Sequence, residues 1–246
     1  MNNILFKTIQ TLRLLKPKAV FSLFCVSACL HLSAAEKEPV SVANNLTKEM
    51  GSGWKLEYHE NFSGCRVGEE PESLFILDGH YSVQEESKGQ KYLQLPGTPM
   101  GDFGLLFGPR IKDRGLALRF SFFATKKGRR MPSIAAGIGG VRSLRLRLNP
   151  AARSLVISHD ETLLKQVPFV WKDGIWWDVC FQATPTSKNL TRVKCKLWPK
   201  KEQEPKVWLL EEEFKQEYEG GKCALWGVPY ASTPILFDDL FIFSSL

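Results

Sequence analysis

Along most of this 246-residue chain, apolar and polar residues alternate one by one over short runs, and Gly, Pro or Asn ends each run. Leu116, Leu118, Phe120 and Phe122 share one phase, while Ala117, Arg119 and Ser121 share the other. A period of two sends each phase to its own side of a pleated strand, so this run has one face to bury and one to expose. The same alternation sets Leu144, Leu146 and Leu148 against Arg145 and Arg147, then returns at Leu155 and Ile157. Further strands are expected at 54–62, 80–84, 91–95, 103–107, 134–138, 163–167, 176–183, 192–198, 207–210, 223–226 and 235–243. Ser87-Lys88-Gly89, Lys127-Gly128 and Asn149-Pro150 punctuate them at hairpin distances. Only 209–218 has the charge density of a short surface helix. The expected fold is therefore all-β, a two-sheet antiparallel jelly-roll sandwich larger than an immunoglobulin-like domain. No internal repeat points to a propeller or solenoid. The last strand carries Phe237, Phe241 and Phe243 and is expected to pair in the middle of the fold, because so much aromatic surface would otherwise aggregate.

Residues 1–35 read as a signal peptide for export. A basic region through Lys18 precedes an apolar run at 19–32, with Ser33-Ala34-Ala35 as a small-residue exit before Glu36. The run is shorter than the ~20 residues of a spanning helix and contains His31. Val26-Ser27-Ala28-Cys29 resembles a bacterial lipobox, so attachment to a membrane is expected only through a lipid on Cys29; otherwise the protein is secreted or periplasmic. The formal charge of +7 would suit a polyanion, yet this segment holds Lys7, Arg13, Lys16 and Lys18 and no acid. Without those four, the 33 basic residues become 29 against 26 acids, a net of +3, and a nucleic-acid partner loses its main support.

Residues 36–53 form a polar linker ending in Gly51-Ser52-Gly53, and residues 54–246 form the domain. It retains Cys65, Cys180, Cys195 and Cys223, an even number that allows two disulfides in an oxidising compartment. Cys180 and Cys195 flank a hairpin turn near 184–190, which favours Cys180–Cys195 with Cys65–Cys223; the alternative is buried free thiols. Their spacing matches no zinc site. Asn45, Asn61 and Asn189 begin glycosylation sequons, of consequence only in a eukaryotic secretory pathway.

The opening Trp54-Lys-Leu-Glu-Tyr-His-Glu-Asn-Phe-Ser-Gly and the closing Pro234-Ile-Leu-Phe-Asp-Asp-Leu-Phe-Ile resemble the first and last strands of concanavalin A-like lectin/glucanase domains. Asp78-Gly79-His80-Tyr81 and Leu93-Gln-Leu-Pro-Gly97 resemble them too. The chain also resembles a group of uncharacterised secreted bacterial proteins, through Phe107-Gly-Pro, Gly137-Ile-Gly-Gly, Leu197-Trp-Pro with Glu204-Pro-Lys-Val-Trp208, and Trp226-Gly-Val-Pro-Tyr230. The resemblance implies a concanavalin A-like jelly roll outside the cytoplasm and brings no activity, since that fold hosts lectins, hydrolases, lyases and adhesion modules. Family-16 glucanases use a Glu-x-Asp-x-x-Glu strand. This chain has only Glu57-Tyr-His-Glu60, Asp160-Glu161 at a turn, and adjacent Asp238-Asp239, which should point to opposite faces. The acidic Glu-x-Gln motif of the former keto-disaccharide hydrolases is missing as well.

Sugar surfaces stack rings on pyranose faces and bond hydroxyls with carboxylates and amides. Trp198, Trp208, Trp226 and Tyr230, near loops or strand ends, are the expected ring contacts; Trp176 and Trp177 must face opposite ways, so at least one belongs to the core. Arg119, Arg145 and Arg147 occupy the polar phase of their strands. On adjacent strands they would form a guanidinium cluster for a carboxylated or sulfated glycan; the plainer expectation is a solvated face. The resemblance also implies a structural calcium, for which Glu60, Asp238 and Asp239 stand at comparable places, against the simpler use of an Asp to bond backbone amides. The expected function is an exported, non-catalytic carbohydrate- or polymer-binding module. The alternatives are a glycan hydrolase or lyase assembled from distant strands, with Arg145, Tyr230 and Glu204 as its candidates, and a structural or adhesion module of the cell envelope.

Overall fold

The computed structural model describes residues 46, 48, 50–142 and 144–246. The expected export signal, Cys29 and most of the linker lie outside them. Among the described residues, fifteen strands, numbered β1–β15 in chain order, form two antiparallel sheets. The larger runs β13 (Leu210–Phe214), β12 (Leu190–Pro199), β11 (Trp176–Ser187), β6 (Leu116–Ala124), β15 (Ile235–Ser245), β4 (Lys91–Leu95) and β3 (Ser82–Glu85), with β1 (Trp54–Glu60) also on β15. The smaller runs β10 (Thr162–Pro168), β9 (Ser154–His159), β8 (Leu144–Asn149), β7 (Ser133–Ile138), β14 (Gly220–Val228), β5 (Phe103–Lys112) and β2 (Leu74–Ile76).

The alternation carries through to the packing. Leu116, Leu118, Phe120 and Phe122 join Leu93, Phe181, Val193, Phe237 and Ile242 on the inner side of the larger sheet. Leu105, Phe107, Ile134, Leu146, Ile157 and Leu225 of the smaller sheet meet them in one continuous core. β15 lies in the middle, as its aromatic content requires: β6 flanks it along one side, while β4 and β1 share the other end to end. Phe237 pairs with Leu93 of β4, and Leu240 with Glu60 of β1. At this change of partner the register against β6 slips between Asp238 and Phe241, and Asp239 takes a positive φ of 52°. This is a β-bulge, which re-aims side chains at the cost of local strain.

Two expectations are corrected here. Residues 209–218 do not form a helix: Leu210 and Phe214 are buried, and Glu211 and Glu213 point outward on edge strand β13, opposite Lys194 and Arg192. Glu212, in the inward phase, is met by Lys165 of β10 at 2.8 Å, across the rim of the sandwich. Nor are the disulfides present. In the β11–β12 ladder Cys195 faces Phe181 and belongs to the core, whereas Cys180 faces Lys196 on the outer side, so a pleat separates the two thiols. Cys65 follows β1 in a loop, Cys223 is buried in β14, and the four cysteines among the described residues are free thiols.

Candidate functional site

The polar phases of β12, β11, β6, β15 and β4 project from the outer face of the larger sheet, and the register arranges them in rows. One row reads Trp176, Phe123, Leu236, Gln94 and Ser82 across β11, β6, β15, β4 and β3. The next reads Trp198, Asp178, Ser121 and Asp238. The third reads Lys196, Cys180, Arg119, Phe241 and His59.

The first row is an aromatic platform. The Trp176 ring centroid lies 5.7 Å from Phe123 and 6.4 Å from Tyr92, and all three rings are partly exposed. Lys200 Nζ stands 5.5 Å from the Trp176 centroid, within cation–π range. A cavity of about 310 Å3 opens beside the platform, lined by Phe123, Ile175, Trp176, Pro199, Lys201 and Glu202. Trp177, the other half of the pair, is in the core and donates its Nε1–H to Lys172 O.

The second row concentrates buried charge. Asp178 accepts the Ser121 hydroxyl at 2.7 Å, and Asp238 accepts Gln90 Nε2 at 3.2 Å and the Asp239 amide at 2.8 Å. The bulge brings Asp239 to the same outer side as Asp238, where it pairs with Lys200 at 2.5 Å; the two carboxyls do not take opposite faces, because the extra residue interrupts the alternation. Burial raises the Asp178 carboxyl above its ordinary range. Burial together with the Asp239 charge pushes Asp238 up to about 7. Burial works against the Lys200 charge, but Asp239, Asp178 and Asp238 outweigh it and hold the ammonium above its usual pKa. Asp178, Ser121, Lys200 and Asp239 line a cavity of about 140 Å3 whose other walls include Arg119, Phe241 and Leu46.

In the third row Arg119 bonds Glu204 at 2.7 Å, and Glu204 also takes Lys196 at 2.7 Å. Burial alone would raise Glu204; the Lys196 hydrogen bond and the Arg119 charge overcome it and hold the carboxyl low. His59 stacks on Phe241 at 4.1 Å, and burial lowers its pKa.

The expected site residues divide between two surfaces. Trp198 is on the outer face of the larger sheet but only 5% exposed, beneath Arg119 at 5.4 Å. Trp208 precedes β13, with Lys196 Nζ 4.5 Å from its centroid. Trp226 lies on the smaller sheet, flat over Gly104 and Gly137, where any Cβ would meet its ring at 2.5 and 2.7 Å; Arg145 covers it at 3.9 Å and leaves it 5% exposed. Tyr230 sits in the loop after β14. Arg119 belongs to the larger sheet and Arg145 and Arg147 to the smaller, so no guanidinium cluster forms; Arg147 pairs instead with Asp102 at 2.7 Å. The same division separates Arg145 from Glu204. The calcium candidates do not fit that ion. Glu60 spends its oxygens on the Phe62 amide and the Ser73 hydroxyl, Asp238 bonds Gln90 and an amide, and Lys200 already sits on Asp239. Among the described residues no three His, Cys, Asp or Glu gather to hold a metal.

Tyr92, Phe123, Asp178 and Lys200 were not among the expected site residues, and Trp176 was weighed only against Trp177 for a place in the core. The signal for Phe123 was present: it continues the phase of Arg119 and Ser121.

No family model matches the chain, and no curated protein matches its sequence. Solved structures do resemble it. The carbohydrate recognition domain of Emp47p is 10% identical with a TM-score of 0.51, over 80% of this chain and 99% of that one. A variant of the Emp46p carbohydrate recognition domain is 9% identical with a TM-score of 0.53, over 77% and 97%. An endo-beta-1,4-glucuronan lyase from Trichoderma reesei is 11% identical with a TM-score of 0.51, over 78% and 96%. At such identities the likeness is one of fold: this is a concanavalin A-like jelly roll.

Proposed function

We propose that the protein is an exported glycan-binding module that holds its ligand on the outer face of the larger sheet. The observation that carries this reading is the Trp176–Phe123–Tyr92 platform, open to solvent and bordered by Asp178, Asp238, Asp239, Lys200 and Gln94. Partly exposed rings beside fixed carboxylates and amides supply both halves of sugar recognition, apolar stacking and hydroxyl bonding. Carbohydrate recognition by two proteins of the same fold supports it. A preference for anionic sugars has no support in the divided arginines, and a neutral glycan suits the acidic row better.

Glycan-array binding by wild type and Trp176→Ala tests the proposal. Losing one stacked ring should weaken binding about three- to tenfold, the equivalent of ~0.7–1.4 kcal/mol. Stability should change little, since Trp176 lies outside the core. Equal binding by both proteins would overturn the platform.

One observation favours a second reading, hydrolysis. Asp178 and Asp238 share a row across Ser121, two strand spacings or ~9.6 Å apart at the backbone, and both carboxyls are lifted in pKa. A wide carboxyl pair of this kind suits activation of a water by one acid and leaving-group protonation by the other. Release of reducing ends from any bound polysaccharide would establish it.

A further inference from the structure

The inner half of the same face is covered by the chain itself. Leu46, Lys48 and Met50 are helical, and Leu46 and Met50 pack on Phe241 and Phe243 with Trp54 and Leu56. Met50 Sδ lies 3.9 Å from Arg119 Nη1, and Leu46 walls the cavity that holds Asp178, Lys200 and Asp239. Beneath them is a second aromatic floor. Phe241 and Phe243 stack with centroids 6.3 Å apart at an interplanar angle of 20°, and His59 lies nearly parallel to Phe241, at 6°. His59 Nε2 is buried there with no hydrogen-bond partner among the described residues. A buried ring nitrogen left unpaired is costly and suits a hydroxyl brought by a ligand.

The cover is lightly held. Leu46 and Met50 are only half-buried, and Gly51-Ser52-Gly53 joins them to β1. Gly51 adopts φ +88°, and a Cβ at Gly51 or Gly53 would meet nothing within 4 Å, so the joint is held without side-chain packing, by the backbone hydrogen bonds Gly51 N–H to Lys48 O, Trp54 N–H to Gly51 O and Leu246 N–H to Gly53 O. A glycine turn held by a few surface backbone bonds can rotate by exchanging them for bonds to water.

We propose that Phe241, Phe243 and His59 form a second ring-stacking subsite of the glycan face, which Leu46 and Met50 occupy in this structure and a long oligosaccharide takes by displacing them. The apolar side chains of the cover stand in for the apolar face of a sugar ring. Phe123 and Arg119, which mark the two aromatic floors on β6, are four residues apart, ~13 Å at ~3.3 Å per residue. A single pyranose cannot span that distance, whereas a chain of several can, crossing the Ser121–Asp178–Asp238 row on the way. The ligand class is therefore an oligosaccharide of several units. The proposal rests on the glycan-binding reading of this face.

The test compares the full chain with its Leu46→Ser, Met50→Ser double variant, using neutral glucan, mannan and galactan ladders from disaccharide to hexasaccharide. A site open only about one-tenth of the time binds about tenfold more weakly than an open one. The variant should gain about that factor for the longer members and nothing for disaccharides. In wild type, hexasaccharide but not disaccharide should speed trypsin cleavage after Lys48, a readout that needs no substitution. Binding by wild type without a length-dependent gain in the variant, or without faster cleavage, overturns the subsite and leaves the platform standing. Silence of both proteins on every ladder overturns both readings.

Discussion

Asp238 is 3% exposed, yet its carboxyl is turned to the outer face beside a second acid. In the unfolded chain it titrates near the ordinary aspartate value of ~3.9; in the fold burial and Asp239 bring it to about 7. Between those values the native state holds a proton that the unfolded state has released. Its contribution to stability is thus fully present below ~3.9 and is lost as pH rises through about 7. Asp238→Asn removes this dependence. Urea unfolding from about pH 5 to about pH 8 should show the variant gaining on wild type by up to about 3 kcal/mol. Parallel pH curves for the two proteins would contradict the raised carboxyl. Single residues were also where sequence reading stopped short. Trp198 and Trp226 satisfied the composition of a sugar site, but Arg119 and Arg145 lie over their rings, and whether an indole is covered depends on a neighbour from another strand. For Trp176 and Phe123 the phase of the alternation held the answer.

At the scale of elements, β13 closes one edge of the larger sheet with a short ladder, two buried side chains, Leu210 and Phe214, and a row of ion pairs. Lys194–Glu211 at 2.6 Å and Arg192–Glu213 at 2.8 Å join it to β12, each pair partly exposed. Exposed pairs contribute ~0.2–1 kcal/mol each, and like charges directly opposite are unfavourable. Glu211→Lys with Glu213→Lys should lower unfolding free energy by about 1–2 kcal/mol and speed hydrogen exchange at β13 amides first; unchanged exchange there would show that Leu210 and Phe214 alone hold the strand. The acidic run that makes this edge soluble is also what gave it the look of a helix. Most other strands were legible because their alternation is uninterrupted. β2 was not, since three residues are too few to show a period and only its ladder with β5 defines it. The bulge in β15 was hidden for a different reason: it arises where β4 gives way to β1 as neighbour, an event in the partners and not in Asp238-Asp239 themselves.

For the whole molecule, the sandwich stands on its core without cross-links. Cys180, Cys195 and Cys223 are buried, and burial pushes the first two thiols up to about 11 and about 12. Reductant should leave the melting temperature unchanged, and a thiol reagent should label half-buried Cys65 first and the other three only on unfolding. A large drop in Tm on reduction would mean that bridges form. Architecture and core were readable from the alternation, whereas the assignment of strands to sheets was not: Arg119 and Arg145 share a phase pattern and yet face away from each other across the whole sandwich. Long-range pairing decides this, and alternation within one strand carries no record of it. The β1–β15 ladder sets Trp54 opposite Ser245, so the start of β1 and the end of β15 lie side by side. A backbone closed there by a short bridge and cut at Lys127-Gly128 would keep the β1–β15 ladder in a circular permutant, and the same adjacency makes the domain a cassette that can be spliced into a surface loop of a carrier protein.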